Sequence, residues 1–148
     1  MPEKRTIEAA RRDKREGKAP STQAGEFVRE EIEHIRHGKH GARSTKQAIA
    51  IGLSKARRSG VKLPAPAKGE ASEQTRRSAK SALKHAGQKP SPTRSRATEK
   101  ALKREGHSAA SKSALSRQAK TAAKKRTASD RSASARKAAR TRAHHRTA

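Results

Sequence analysis

The chain of 148 residues carries 39 lysines and arginines against 13 acids, a formal net charge of +26, with one aromatic residue and no cysteine. The missing cysteine excludes disulfides, thiolate metal sites and a thiol nucleophile, and no run approaches the ~18 apolar residues of a membrane span. The first twenty residues are charged throughout and lack the apolar centre of a secretory signal. A soluble cytoplasmic protein with a polyanionic partner is expected, and an enzyme is not.

Pro2–Gly17 reads as a highly charged helix with one large apolar residue, Ile7, so it should fray without a partner. Gly17–Ser21 ends it, with Pro20 as the stop. Ser21 or Thr22 is expected to cap a second helix running to about His37. Ala24, Phe27, Val28, Ile32 and Ile35 lie on one stripe of it, and Gly38 closes it. The third helix opens on Ser44-Thr45-Lys46-Gln47, a capping box, and stops at Gly60 and Pro64. Ile49, Ile51 and Leu53 also alternate as a short strand would, but the two caps favour a helix. Gly52 lies on its apolar stripe, where a missing side chain permits close approach of another backbone. Together residues 21–63 form a helical hairpin with a minimal core, which makes self-association through this module a further expectation.

Beyond Pro64 the composition turns to Ala, Lys, Arg, Ser and Thr, with a weak Ala-Leu repeat centred on Leu83, Leu102 and Leu115. Burying one leucine yields about 1.5–3 kcal/mol, whereas ordering one residue costs about 1–2 kcal/mol. Three leucines cannot offset that cost over residues 64–148. The expected fold class is therefore mostly α: a charged helical segment at 1–20, a small N-terminal helical hairpin at 21–63, and a largely disordered, transiently helical basic tail at 64–148.

Charge follows the same division. Residues 1–60 hold 15 basic and 8 acidic residues, while residues 61–148 hold 24 and 5; after Glu105 the only acid is Asp130. Lysines and arginines in such a tail neutralise phosphates and release counterions. The expected phosphate contacts are Arg117, Lys120, Lys124, Lys125, Arg126, Arg136, Lys137, Arg140 and Arg142 in the tail. Lys46, Lys55, Arg57, Arg58 and Lys62 are expected to give the third helix a basic flank. With no Trp or Tyr, and Phe27 assigned to the core, stacking platforms for single strands or RNA loops are missing, which favours DNA over RNA.

Other motifs carry less. His34, His37 and His40 follow an i, i+3, i+6 pattern, but a metal would need help from Glu30 or Glu33, and the reading is of surface histidines at a helix end. Ser91-Pro92-Thr93-Arg94 is similar to the turn of linker-histone tails and reads here as a linker turn. No Walker-type glycine loop or nucleophile elbow is present. Neither catalytic residue, cofactor nor metal is expected.

Two runs, Lys18–His34 and His40–Arg58, with Ser44-Thr-Lys-Gln-Ala-Ile-Ala-Ile-Gly-Leu-Ser54 as the most distinctive block, resemble a family of small basic bacterial proteins. That family is a domain of unknown function, sometimes labelled DNA-binding, and the resemblance over about residues 3–63 implies a bacterial setting without a mechanism. The tail resembles in composition the Ala/Lys-rich tail of linker histones. These observations lead to an expected sequence-nonspecific binder of nucleic acid, most of all duplex DNA, of the histone-like or nucleoid-associated kind. An RNA- or ribosome-associated protein and a disordered stress protectant are the alternatives.

Overall fold

The structure, a computed structural model, describes residues 2–147. Seven α-helices run in order along the chain: α1 (Lys4–Arg15), α2 (Pro20–Arg36), α3 (Thr45–Arg58), α4 (Glu73–Lys84), α5 (Pro92–Lys103), α6 (Lys112–Lys124) and α7 (Ala128–Thr147), with a 3-10 turn at Ser108–Ala110. They fall into two compact units, Met1–Ser111 and Lys112–Ala148.

In the first unit α2 packs against both α1 and α3. Ala10, Ala24, Phe27, Ala56 and Val61 form the core cluster, with Ile7, Leu53 and Leu63 packed against it. Ala9 and Ala10 of α1 are buried beside Ile7, so the charged first helix finds the partner it needs. Gly17 ends α1 with φ +76°, and the α1–α2 turn is pinned by Lys18, whose ammonium sits 2.8 Å from Asp13 Oδ1. Asp13 is itself buried. The second helix begins earlier than the polar residues suggested. Pro20 is its first residue and Ala19 its N-cap, with no side-chain cap. The fixed φ of proline suits this position, and its missing N–H would have had no partner there. Ser44 caps α3 by accepting from Gln47 N at 3.1 Å, while Gln47 Oε1 accepts from Arg43 N at 2.7 Å. The alternation of Ile49, Ile51 and Leu53 therefore lies on a helix.

The expectation of a largely disordered, transiently helical tail is overturned: α4, α5, α6 and α7 occupy most of residues 64–148. Two physical terms were missing from the leucine count. The first is alanine. Ala79 and Ala82 of α4 are buried, and so are Ala109 and Ala110, which are 6% and 0% exposed. The second is hydrogen bonding over long sequence distance. Gly41 N donates to Leu102 O at 2.9 Å, Ala42 N to Gly106 O at 3.0 Å, and Gly87 N to Arg58 O at 2.8 Å. Thr45 Oγ1 donates to Ala109 O at 2.7 Å and Arg36 Nε to Ala110 O at 2.9 Å. Residues 102–111 thus close over the α2–α3 connection, satisfying backbone groups that a disordered tail would leave to water.

The second unit consists of α6 and α7, neither of which has a buried residue. Ala, Lys and Arg are strong helix formers, and the twenty residues of α7 exceed the ~12–15 at which isolated helices become marginal. Asp130 lies in the first turn of α7, and His144, His145 and Arg146 lie in its last. That order complements the helix dipole. Arg131 Nη1 donates to Ala123 O at 3.0 Å and to Arg126 O at 2.8 Å, clamping the turn between the two helices.

Candidate functional site

The cations expected to meet phosphate separate into distinct groups. Along α6, Arg117, Lys120 and Lys124 share one face by their spacing, and all three are exposed. Lys125 and Arg126 stand at the turn that follows. Arg126 already donates to Asp130 O at 3.1 Å and Ser134 Oγ at 2.5 Å. On α7, Arg136, Lys137 and Arg140 fall on one side, and Arg142 falls on the other with Arg131. This helix is about 30 Å long, buries no residue, and is basic on both sides.

In the first unit the picture differs. Lys46 and Lys62 are exposed and Arg58 is half-buried, but Lys46 lies about 18 Å along the helix from Arg58, so these do not make one patch. Lys55 is ion-paired to Glu31. Arg57, only 6% exposed, donates from Nε to Leu63 O at 3.1 Å and from Nη2 to Pro64 O at 3.0 Å. Burial pushes its guanidinium below its ordinary value. Both side chains are committed to holding the fold, Lys55 to a buried carboxylate and Arg57 to the chain after Val61.

A cationic surface that the sequence reasoning passed over lies on α5. Arg96, Lys100, Lys103 and Arg104 gather around Glu99 and line a shallow depression, with Lys103 Nζ 3.1 Å from Glu99 Oε1. No residue of this helix is buried. The signal was present as basic residues at i, i+4, i+7 and i+8, obscured because the segment was taken as disordered.

Beside these surfaces stands a buried polar cluster. Glu30 and Glu31 of α2 are 2% and 0% exposed. Glu3 N donates to Glu30 Oε1 at 2.6 Å. Glu31 Oε1 faces Lys55 Nζ, with His34 Nδ1 3.8 Å away. Its other oxygen, Oε2, lies 3.2 Å from His40 Nε2. That contact lacks hydrogen-bond geometry, so the buried Oε2 atoms of both Glu30 and Glu31 have no hydrogen-bond partner. His34 Nε2 is 3.1 Å from Glu3 Oε1, and the His34 and His40 rings meet edge-on with centroids 6.2 Å apart. The carboxyl of Glu3 is drawn down to about 2 by His34, then Lys39 and Arg5. His37 is exposed and takes no part. Of the three histidines read as surface residues at a helix end, His37 is on the surface, whereas His34 and His40 are partly buried beside Glu31. His40 lies past the end of α2, so helical spacing alone could not bring it there.

No helix among the described residues is long and apolar enough to cross a membrane. Residues 3–68 match a family of unknown function, DUF6496, which covers α1 to α3 and the chain just beyond. No curated protein and no solved structure matches the chain.

Proposed function

We propose that this protein binds nucleic acid without sequence preference, duplex DNA ahead of RNA, as a histone-like or nucleoid-associated protein of the cytoplasm. The observation that carries the reading is the display of cations from α6 to the end of α7. Twelve lysines and arginines follow Glu105, with Asp130 the only acid. All twelve are exposed on or between two helices that bury nothing. Such helices gain little from packing, and their mutual charge repulsion is relieved when phosphates neutralise them. The α5 face adds four further cations. Phe27, the only residue among Phe, Tyr and Trp, is 1% exposed, so none of these rings is offered for stacking bases, which favours contact with the phosphate backbone.

Self-association through residues 21–63 was expected from the hairpin alone; α1, α4 and residues 102–111 also pack against α2 and α3. The deciding experiment is binding to an unrelated duplex at about 50 and 200 mM salt. A protein making 6–10 phosphate contacts loses roughly 10³–10⁵ in affinity over that range. Competition with structured RNA then separates the DNA reading from the RNA or ribosomal one. Weak binding at the lower salt would refute the proposal.

A further inference from the structure

The buried cluster on α2 leaves one carboxylate oxygen of Glu31, Oε2, without a hydrogen-bond partner. His40 Nδ1 lies 2.9 Å from Gly41 O. A carbonyl can only accept, so Nδ1 donates to it, which leaves Nε2 as the ring atom available to a ligand. Nε2 lies 3.2 Å from Glu31 Oε2, an oxygen without a hydrogen-bond partner although the residue is 0% exposed. His34 repeats the arrangement. Its Nε2 donates to the Glu3 carboxylate at 3.1 Å, and its Nδ1 lies 3.8 Å from Glu31 Oε1. One nitrogen of each imidazole therefore lies beside the same buried carboxylate, each against a different oxygen.

We propose that Glu31, His34 and His40 form a site for a divalent transition-metal cation of the Zn2+ class. One donor atom from each lies within 4.8 Å of the others. Tetrahedral Zn2+ with bonds of about 2.0–2.1 Å sets its ligands roughly 3.3 Å apart, close to the 3.2 Å between His40 Nε2 and Glu31 Oε2, while His34 Nδ1 stands 3.8 Å from the other oxygen, Oε1, of the same carboxylate. Two nitrogens and one oxygen suit zinc and its neighbours rather than Mg2+ or Ca2+, which take oxygen. The outer groups fit as well. Metal-bound histidines donate their remote N–H to a carboxylate or a backbone carbonyl, and here Glu3 and Gly41 O accept them. The fourth position is open, and the metal would tie α2 to the loop carrying His40.

Lys55 is the competitor. Its ammonium pairs with Glu31 Oε1, and its side chain, 27% exposed, has a path to solvent. Metal entry displaces that ammonium, so the lysine sets the affinity. The neighbouring Glu3 and Glu30 carboxylates favour a dication, while Lys39 and Arg5, both held by Glu3, oppose it.

The test is calorimetric titration of ZnCl2 into the full-length chain, with Co2+ absorption reporting the coordination number. One site per chain and the visible bands of four-coordinate Co2+ are expected. His40→Gln and Glu31→Gln should each weaken binding by at least about 100-fold, since even outer-shell losses reach 10–100-fold. Lys55→Met, which keeps all three ligands, should tighten it about tenfold by removing the competing charge. The His144→Ala/His145→Ala double variant controls for the adjacent surface histidines and should bind as wild type. Absence of a single site, undiminished binding in His40→Gln, or loss in the double variant overturns the proposal. If Glu31→Gln does not fold, Lys55→Met decides: tighter binding supports the site, and equal or weaker binding refutes it.

Discussion

Gly52→Ala is the substitution whose outcome follows most directly from the packing of α2 on α3. A Cβ at position 52 would lie 2.7 Å from Val28 Cα, 2.9 Å from Val28 N and 3.0 Å from Val28 Cγ2. Two of those three atoms are backbone, so no rotamer change relieves the clash. The helices would have to separate by roughly 0.5–1 Å, and a gap of that size forfeits about a quarter to a half of each contact across it. Overpacking of this kind costs about 1–3 kcal/mol, from which the better helix propensity of Ala returns about 1 kcal/mol. A rigid backbone obstacle puts the cost at the upper end, for a net loss of about 1–2 kcal/mol. In a unit near 100 residues that is a fall of about 4–16 °C in Tm. Gly25→Ala is the matched control: it lies within α2, and an added Cβ meets nothing within 4 Å. It should stabilise by about 1 kcal/mol. Thermal unfolding followed by far-UV circular dichroism reads both. A Gly52→Ala protein as stable as wild type would refute the close α2–α3 approach.

The remaining predictions probe other parts of the molecule. Arg57→Met loses two charge-assisted hydrogen bonds to carbonyls that water can reach, and should cost about 1–3 kcal/mol in urea unfolding. Its duplex affinity should be unchanged; the reverse result would place Arg57 in the binding surface. Asp13, and secondarily Glu16, hold the Lys18 ammonium above the ordinary lysine value of 10.5. Its stabilisation is therefore fully present below that pH and is lost as pH rises through the raised folded value. The stability gap between wild type and Lys18→Met should close at strongly alkaline pH, and a constant gap would contradict the pairing. Replacing Arg136, Lys137 and Arg140 together by Gln should reduce the salt slope of DNA binding by about 2.7, at 0.9 per lost phosphate contact; an unaltered slope would move the interface away from that side of α7. In Gly41→Ala the new Cβ runs into the backbone of Glu105 and Gly106. Faster amide exchange at Ala42 should report the undocking of residues 102–111, and wild-type protection would argue that the segment docks differently.

The helices of the first sixty residues were legible because their signals are local. Ser44 and Gln47 mark the start of α3 within four residues, and Gly60, at φ +98°, marks its end. The stripe through Ala24, Phe27, Ile32 and Ile35 is buried as its period requires. Polar residues misled the eye at the start of α2, where a proline at the first position served instead of a side-chain cap. The tail was misjudged for a different reason. Its stabilising groups are small residues and backbone amides, and neither advertises burial in a composition count. Ala110 at 0% exposure reads in sequence like any exposed alanine of the same segment.

The proposed phosphate-contacting surface and the buried cluster divide along the same line. Sequence alone determined the excess of positive charge and its weight toward the C-terminal half, because charge is a sum over residues and needs no geometry. It also determined the first three helices, whose caps and periodicities lie within a few residues of one another. Tertiary structure alone decided which cations are free. Lys55 and Arg58 are three residues apart, yet Lys55 is tied to a carboxylate 24 positions away. It alone brought His40 beside Glu31 and set residues 102–111 over the α2–α3 connection. Burial and pairing are properties of neighbours in space, and for this chain the decisive neighbours are distant in sequence.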